Sequence, residues 1–192
     1  MKKLIRRRTL VNNFWLMDGM PQAAQDKFVS VFKQTWTQLP TEATGALNDY
    51  FAKNPCKVYL CYKMCDQAWG RCSYFDKLHL TVMTYSTPFF LCADGNTGLT
   101  GVVGHELAHC YHRAISLWTA NEPEEEANTR KRAKTWGFHP DLCPAKELEE
   151  GIRQWCDENA SKLGHLTEST LLEKAERFAI QNALQRGQLA LG

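Results

Sequence analysis

The hydrophobic period of this chain changes twice, and that change limits the folds open to it. Between residues 21 and 54 apolar side chains recur three and four apart. From 56 to 86 aromatic and branched residues crowd together or alternate, and beyond 97 the wider spacing returns to the end of the chain. A period of 3.6 puts apolar groups on one stripe of a helix, and a period of 2 puts them on one face of a strand. Helices, then a short block of strands, then more helices, without regular alternation, predict an α+β fold. We expect a small, mostly antiparallel sheet packed beside a helical bundle.

The individual elements follow from the same spacing. Ala24, Phe28, Val31, Phe32, Trp36 and Leu39 predict one helix, with Pro21 suited to its first turn. Ala43, Leu47, Tyr50 and Phe51 predict a second that ends before Pro55. "CKVYLCYKM" and "RCSYFDKLHLTVMTYS" read as strands, with "CDQAWG" as the hairpin connection between them. "PFFLCADGNTG" reads as a short apolar run and a turn. A helix over 97–118 and another over "EPEEEANTRKRAKTWGF", opened by Pro123 and stopped at Gly137, come next. Two more helices are marked by Leu148, Ile152, Trp155, Cys156 and Leu163, and by Leu171, Leu172, Ala175, Phe178, Ala179, Ala183 and Leu184. The expectation is a single domain over 1–192. Its helical N-terminal region is 21–54, its central core about 56–138, and its helical C-terminal region 145–190.

Charge gives little direction. With 23 Lys and Arg against 21 Asp and Glu, the net charge of +2 creates no field that argues for a nucleic-acid partner. "KKLIRRR" could act as an arm on an anionic surface, while "TRKRAK" lies in a helical pattern and reads as a solvated face. "TLVNNFWLMDGM" breaks any apolar signal core with two asparagines and an aspartate, and no run of 18 apolar residues occurs. These features predict a cytoplasmic protein with no membrane partner. In that compartment the eight cysteines are expected as reduced thiols. Disulfides, or a second metal in "CKVYLCYKMCDQAWGRC", are the other readings of that cluster.

The chemistry-bearing feature is "GVVGHELAHCYHRA". Residues four apart on a helix differ by about 40° in azimuth, so His105 and His109 can reach one ion. Glu106 projects beside that pair, where a carboxylate can take a proton from water activated by the metal. For this composition the number of H-E-x-x-H matches expected by chance is ~0.01.

On the "GHELAH" helix, the strand pair before it and the "EPEEEAN" helix after it, the chain resembles minimal gluzincin zinc metallopeptidases, including ImmA/IrrE-like and HtpX-like proteins. The resemblance covers about 56–138. It implies a zincin-like active-site helix, a Zn²⁺ ion, a protein or peptide substrate, Glu106 as general base, and a third ligand from a glutamate on the following helix. The family string Glu-x-x-Ala-Asn fits Glu124, Ala127 and Asn128, with Asn128 then orienting a ligand histidine. Periodicity favours Glu126, which shares a stripe with Thr129, Ala133 and Trp136, and "AKTWGF" fits the family's helix ending. Glu126 is the expected ligand and Glu124 the alternative; Arg130 then stands where the family has Asp or Asn. His112 and His139 are the other candidate third ligands. The resemblance also implies that "KLHLTVMTY" is the edge strand to which an extended substrate adds. Tyr85 and Tyr111 read as packed aromatics outside the site. Two other functions remain open: an inactive zinc-stapled interaction module, and a nucleic-acid-associated protease similar to SprT-like proteins.

Overall fold

The computed structural model describes residues 7–11, 13–17, 19–65, 68–141 and 146–185. The chain opens with two strands, β1 (Arg7–Val11) and β2 (Phe14–Met17), an antiparallel pair to which the helical reading, starting at Pro21, assigns nothing. Asn13 turns between them at φ 56°, a left-handed conformation that asparagine tolerates better than most residues. The basic run at 2–8 lies largely outside the described residues. Two helices follow where the apolar spacing puts them, α1 (Gln22–Gln38) and α2 (Thr41–Lys53).

The sheet continues with β3 (Cys56–Cys61), β4 (Gly70–Phe75) and β5 (Leu80–Ser86), in the order β1-β2-β3-β5-β4. The ladders β1–β2 and β4–β5 are antiparallel, while β2–β3 and β3–β5 are parallel. The sheet is therefore small and mixed, and it lies among helices as an α+β fold. "CDQAWG" is not a hairpin turn, because β3 and β4 do not pair. The hairpin lies within "RCSYFDKLHLTVMTYS", where a single 3₁₀ turn (Asp76–Leu78) and left-handed His79 join β4 to β5.

The physical reason is burial on two faces. Met83 and Tyr85 of β5 join the large core beneath α1 and α2, and Leu80 and Val82 join a smaller cluster with Leu171 and Ala175 on the other side. Its polar residues are buried too, Thr81 against the Tyr50 hydroxyl and Thr84 donating to Glu168. Such a strand belongs inside a sheet covered on both faces. β4, with every residue only partly buried, takes the edge. The sheet's edges are thus β1 and Gly70–Phe75, and the expectation that 77–85 forms an edge is overturned.

Five helices complete the described chain: α3 (Thr87–Cys92), α4 (Thr97–Ala114), α5 (Glu122–Thr135), α6 (Lys146–Leu163) and α7 (Glu168–Gln185). The "PFFLC" run, read as apolar chain before a turn, is the short helix α3, capped by the Ser86 hydroxyl. α7 covers the β3–β5 face opposite α4. No helix among the described residues is long and apolar enough to cross a membrane.

α4 is held against α5 by missing side chains. α5 ends in a Schellman turn: Gly137 is left-handed at φ 84°, and the amides of Gly137 and Phe138 donate to Lys134 and Ala133 carbonyls. The chain then folds back and sets the Phe138 ring on Gly104 and the His139 carbonyl on Gly101. A Cβ at Gly104 would overlap that ring, so glycine in this helix interior serves close approach.

Candidate metal centre

α4 presents His105 and His109 one turn apart, their rings 4.8 Å apart and edge to face. α5 brings Glu126 to them: its Oε2 lies 3.2 Å from His105 Nε2 and its Oε1 3.1 Å from His109 Nε2. These three residues form the only group among the described residues whose donor atoms could hold a metal ion, all lying within 4.8 Å of one another. Hydrogen bonds from His105 and then His109 keep the Glu126 carboxyl well below the usual range. Burial pushes the His109 imidazole down, but the Glu126 hydrogen bond and the Glu106 charge outweigh it and leave His109 raised.

Glu106 is buried at 4% exposure beside this group, and desolvation raises its carboxyl against the pull of His105 and His109. It makes no contact that would count it among the metal donors. Gly70 of β4 passes close by, where an added Cβ would stand 3.1 Å from the Glu106 Cγ and 2.9 Å from a Val102 methyl. The glycine lets the open strand edge run directly past the carboxylate.

The group lies in a cleft of about 600 Å³ lined by β4 on one side and by α4, α5 and the connection between them on the other. One wall carries the rings of Tyr74 and Trp118, and Arg113 stacks against both. The Arg113 guanidinium lies 3.7 Å from the Tyr74 ring centroid and 4.3 Å from that of Trp118, and its Nη1 donates to Asp76 Oδ1 at 2.5 Å. Along β4, Arg71 pairs with the buried Glu168 of α7 at 3.4 Å, and Glu168 also accepts from the Cys65 amide and the Thr84 hydroxyl.

The other sequence candidates go elsewhere. Glu124 is exposed and accepts a hydrogen bond from Asn121 Nδ2 at 3.4 Å, while Asn128 is also exposed. His112 is buried and turns its Nδ1 to Glu125, and His139 is exposed beyond α5. Tyr85 is buried with its hydroxyl on the Met83 sulfur, and Tyr111 donates to Glu42. Arg130 and Lys134 both pair with Asp141 on an exposed face, so this basic run reads as solvated surface with its charge partly offset. The seven described cysteines form no disulfide; Cys143 lies outside the described residues. Cys56 and Cys61 of β3 point to opposite faces of the sheet, and Cys72 meets Cys110 of α4 at 3.5 Å, so "CKVYLCYKMCDQAWGRC" does not converge on one ion.

What the sequence reading lacks is Glu125. It is 4% exposed, and its Oε1 lies 3.3 Å from His109 Nδ1, 3.1 Å from His112 Nδ1 and 3.1 Å from the Thr129 hydroxyl. Burial pushes its carboxyl up, and the Thr119 amide, His112 and Thr129 together hold it below the ordinary value. The buried stripe of α5 is Glu125, Thr129 and Ala133, with Glu126 on its flank at 43% side-chain exposure, turned toward the cleft. His105 differs from His109, since its buried Nδ1 has no protein hydrogen-bond partner among the described residues.

Compared with protein-family models, curated proteins and solved structures, the chain matches none of them.

Proposed function

We propose that the chain is a zinc-dependent peptidase in which His105, His109 and Glu126 hold the ion and Glu106 is the general base. The observation that carries the reading is the convergence of two imidazole Nε2 atoms and one carboxylate, at 3.1–3.2 Å, beside a buried glutamate and an open strand edge. Tetrahedral donors about 2.0–2.1 Å from zinc stand roughly 3.3 Å from one another, so the donor set and its two imidazole–carboxylate spacings suit that ion, with all the donor atoms within 4.8 Å. Three protein donors with one position left open is the pattern of catalytic rather than structural zinc sites. A zinc-stapled module would require a fourth protein donor, and the group among the described residues has three.

When bound, zinc supplies Lewis acidity that makes water a nucleophile near neutral pH. Glu106 takes the proton that the attacking water gives up and returns it to the leaving amine. Its burial suits both steps, because a raised carboxyl pKa brings acid and base forms closer to working pH. β4 offers the unpaired main-chain edge that an extended peptide extends as a further strand, so the substrate is a peptide segment. Tyr74 and Trp118, with Arg113 stacked against both rings, line the cleft where its side chains lie.

The test loads the purified chain with zinc, incubates it with a mixed protein extract, and labels new N-termini. New termini are expected from the wild type. Glu106→Gln should keep its zinc and lose cleavage by ~10²- to 10⁴-fold, the usual share of acid–base catalysis. A zinc-loaded wild type that makes no new termini, or a Glu106→Gln protein that cleaves as well, overturns the reading.

A further inference from the structure

Behind His109, on the side away from Glu126, four polar atoms meet. They are Glu125 Oε1, Thr129 Oγ1, His109 Nδ1 and His112 Nδ1, every pair that can hydrogen-bond lying 3.1–3.3 Å apart. All belong to buried or nearly buried side chains: Thr129 is 0% exposed, His112 3% and Glu125 4%. Proton counting assigns their roles. When an ion in front of His109 takes the Nε2 lone pair that otherwise faces Glu126, the neutral ring carries its proton on Nδ1. The Thr129 hydroxyl has one proton to give, and the Glu125 carboxylate has none.

The two nitrogens have different nearest oxygens. His109 Nδ1 is 3.1 Å from Thr129 Oγ1 and 3.3 Å from Glu125 Oε1. His112 Nδ1 is 3.1 Å from Glu125 Oε1 and 3.3 Å from Thr129 Oγ1. One arrangement satisfies each donor at its shorter contact. His109 Nδ1–H donates to the threonine oxygen, the threonine hydroxyl donates to Glu125 Oε1 at 3.1 Å, and His112 Nδ1–H donates to that same carboxylate oxygen. Glu125 Oε2 then accepts the Thr119 amide at 3.2 Å, in the α4–α5 connection that carries Trp118 into the cleft wall.

We propose that Thr129 and Glu125 are the positioning residues of this centre: Thr129 relays between His109 and Glu125, fixes His109 as an Nε2 ligand, and ties it through Glu125 to the cleft rim at Thr119. The proposal rests on the metal reading of His105, His109 and Glu126. It departs from the family's arrangement, in which the position held here by Arg130 supplies an Asp or Asn. Here Arg130 faces Asp141 instead, and the orienting carboxylate comes from the residue immediately before the ligand glutamate. Because His105 Nδ1 has no such partner among the described residues, the relay on His109 is the polar contact that fixes the orientation of either ligand ring.

The test uses the full chain, zinc as the probe in competition with a chromophoric chelator, and the visible spectrum of the Co²⁺-substituted protein. Thr129→Val keeps the shape and removes the hydroxyl, leaving His109 only the longer contact to Glu125. Zinc affinity should fall about 10- to 100-fold, the range for residues that orient metal ligands, and the cobalt bands should shift. Thr129→Ser keeps the hydroxyl and should restore both readouts. Glu125→Gln has one acceptor oxygen where the native side chain uses two, so it should weaken zinc binding as well. Circular dichroism melts of the metal-free variants separate lost affinity from lost folding. Wild-type affinity and spectrum in Thr129→Val, or a Thr129→Ser protein as weak as Thr129→Val, would overturn the relay. A wild type whose zinc binding does not depend on His105 and His109 would instead remove the metal reading beneath it.

Discussion

Gly104→Ala sets two effects of known size against each other. In an exposed helix interior alanine is better than glycine by ~1 kcal/mol, so propensity alone predicts a more stable protein. Here the added methyl meets the Phe138 ring, with two of its carbons 2.6 and 2.9 Å from the Cβ position, and Phe138 is 2% exposed with no solvent to retreat into. Overpacking costs about 1–3 kcal/mol, and a buried ring this close puts the cost in the upper part of that range, ~2–3 kcal/mol, so the overlap wins and the net loss should be ~1–2 kcal/mol. Phe138→Ala alone should cost about 3–5 kcal/mol. In that background the obstacle is gone, and Gly104→Ala should turn stabilising by ~1 kcal/mol. Urea unfolding of the four proteins, followed by far-ultraviolet circular dichroism, then yields a coupling of roughly 2–3 kcal/mol. Zinc affinity should fall in the single Gly104→Ala variant, because α5 must move from α4 next to His105. A Gly104→Ala protein stabilised in the native background, or a cycle additive to within ~0.5 kcal/mol, would refute the reasoning.

Glu126→Gln should lose zinc as measured by native mass spectrometry while Glu124→Gln keeps it, since Glu124 lies exposed on Asn121; the reverse pattern would make Glu124 the ligand. Tyr59→Phe should reduce the loss of stability at high pH. Burial pushes the Tyr59 phenol from 10.0 up to about 12, so its neutral form favours the fold fully below pH 10, and that contribution disappears between about pH 10 and 12. The gap corresponds to about 3 kcal/mol, and identical alkaline unfolding limbs in the two proteins would contradict it.

The helices of this chain are legible because each buries one stripe. α1 and α2 appear within a residue or two of the spacing of Phe28, Val31, Phe32, Leu47 and Phe51. The strands are legible as strands, but their order is not set by adjacency in the chain. The information was present in composition: "LTVMTYS" carries groups that bury on both faces, whereas "GRCSYF" is small or polar at several positions and suits an edge. The first hairpin also left a signal in Asn12-Asn13 between "RRTLV" and "FWLM", two asparagines where a tight turn needs a left-handed residue. Reading that stretch only as a failed export signal hides it.

The site divides differently. His105, Glu106 and His109 are legible because one helical turn fixes their relation before any tertiary contact forms. The third position depends on how α5 is rotated, and there three consecutive glutamates of identical chemistry differ only by about 100° per residue. The stripe used to favour Glu126 assumed that a ligand faces the core with Thr129 and Ala133. The core-facing glutamate is Glu125, and Glu126 reaches the histidines because it stands one step off that stripe, half-exposed to the cleft. A ligand to an ion that must also meet substrate belongs on such a flank, and the carboxylate that steadies the ligand belongs on the buried side. The three residues therefore have three environments: Glu124 in solvent, Glu125 behind His109, and Glu126 in front of it. Rotating α5 by one residue would exchange those roles, so the Phe138 ring seated on Gly104, which fixes that rotation, is as necessary to the centre as any of its donors.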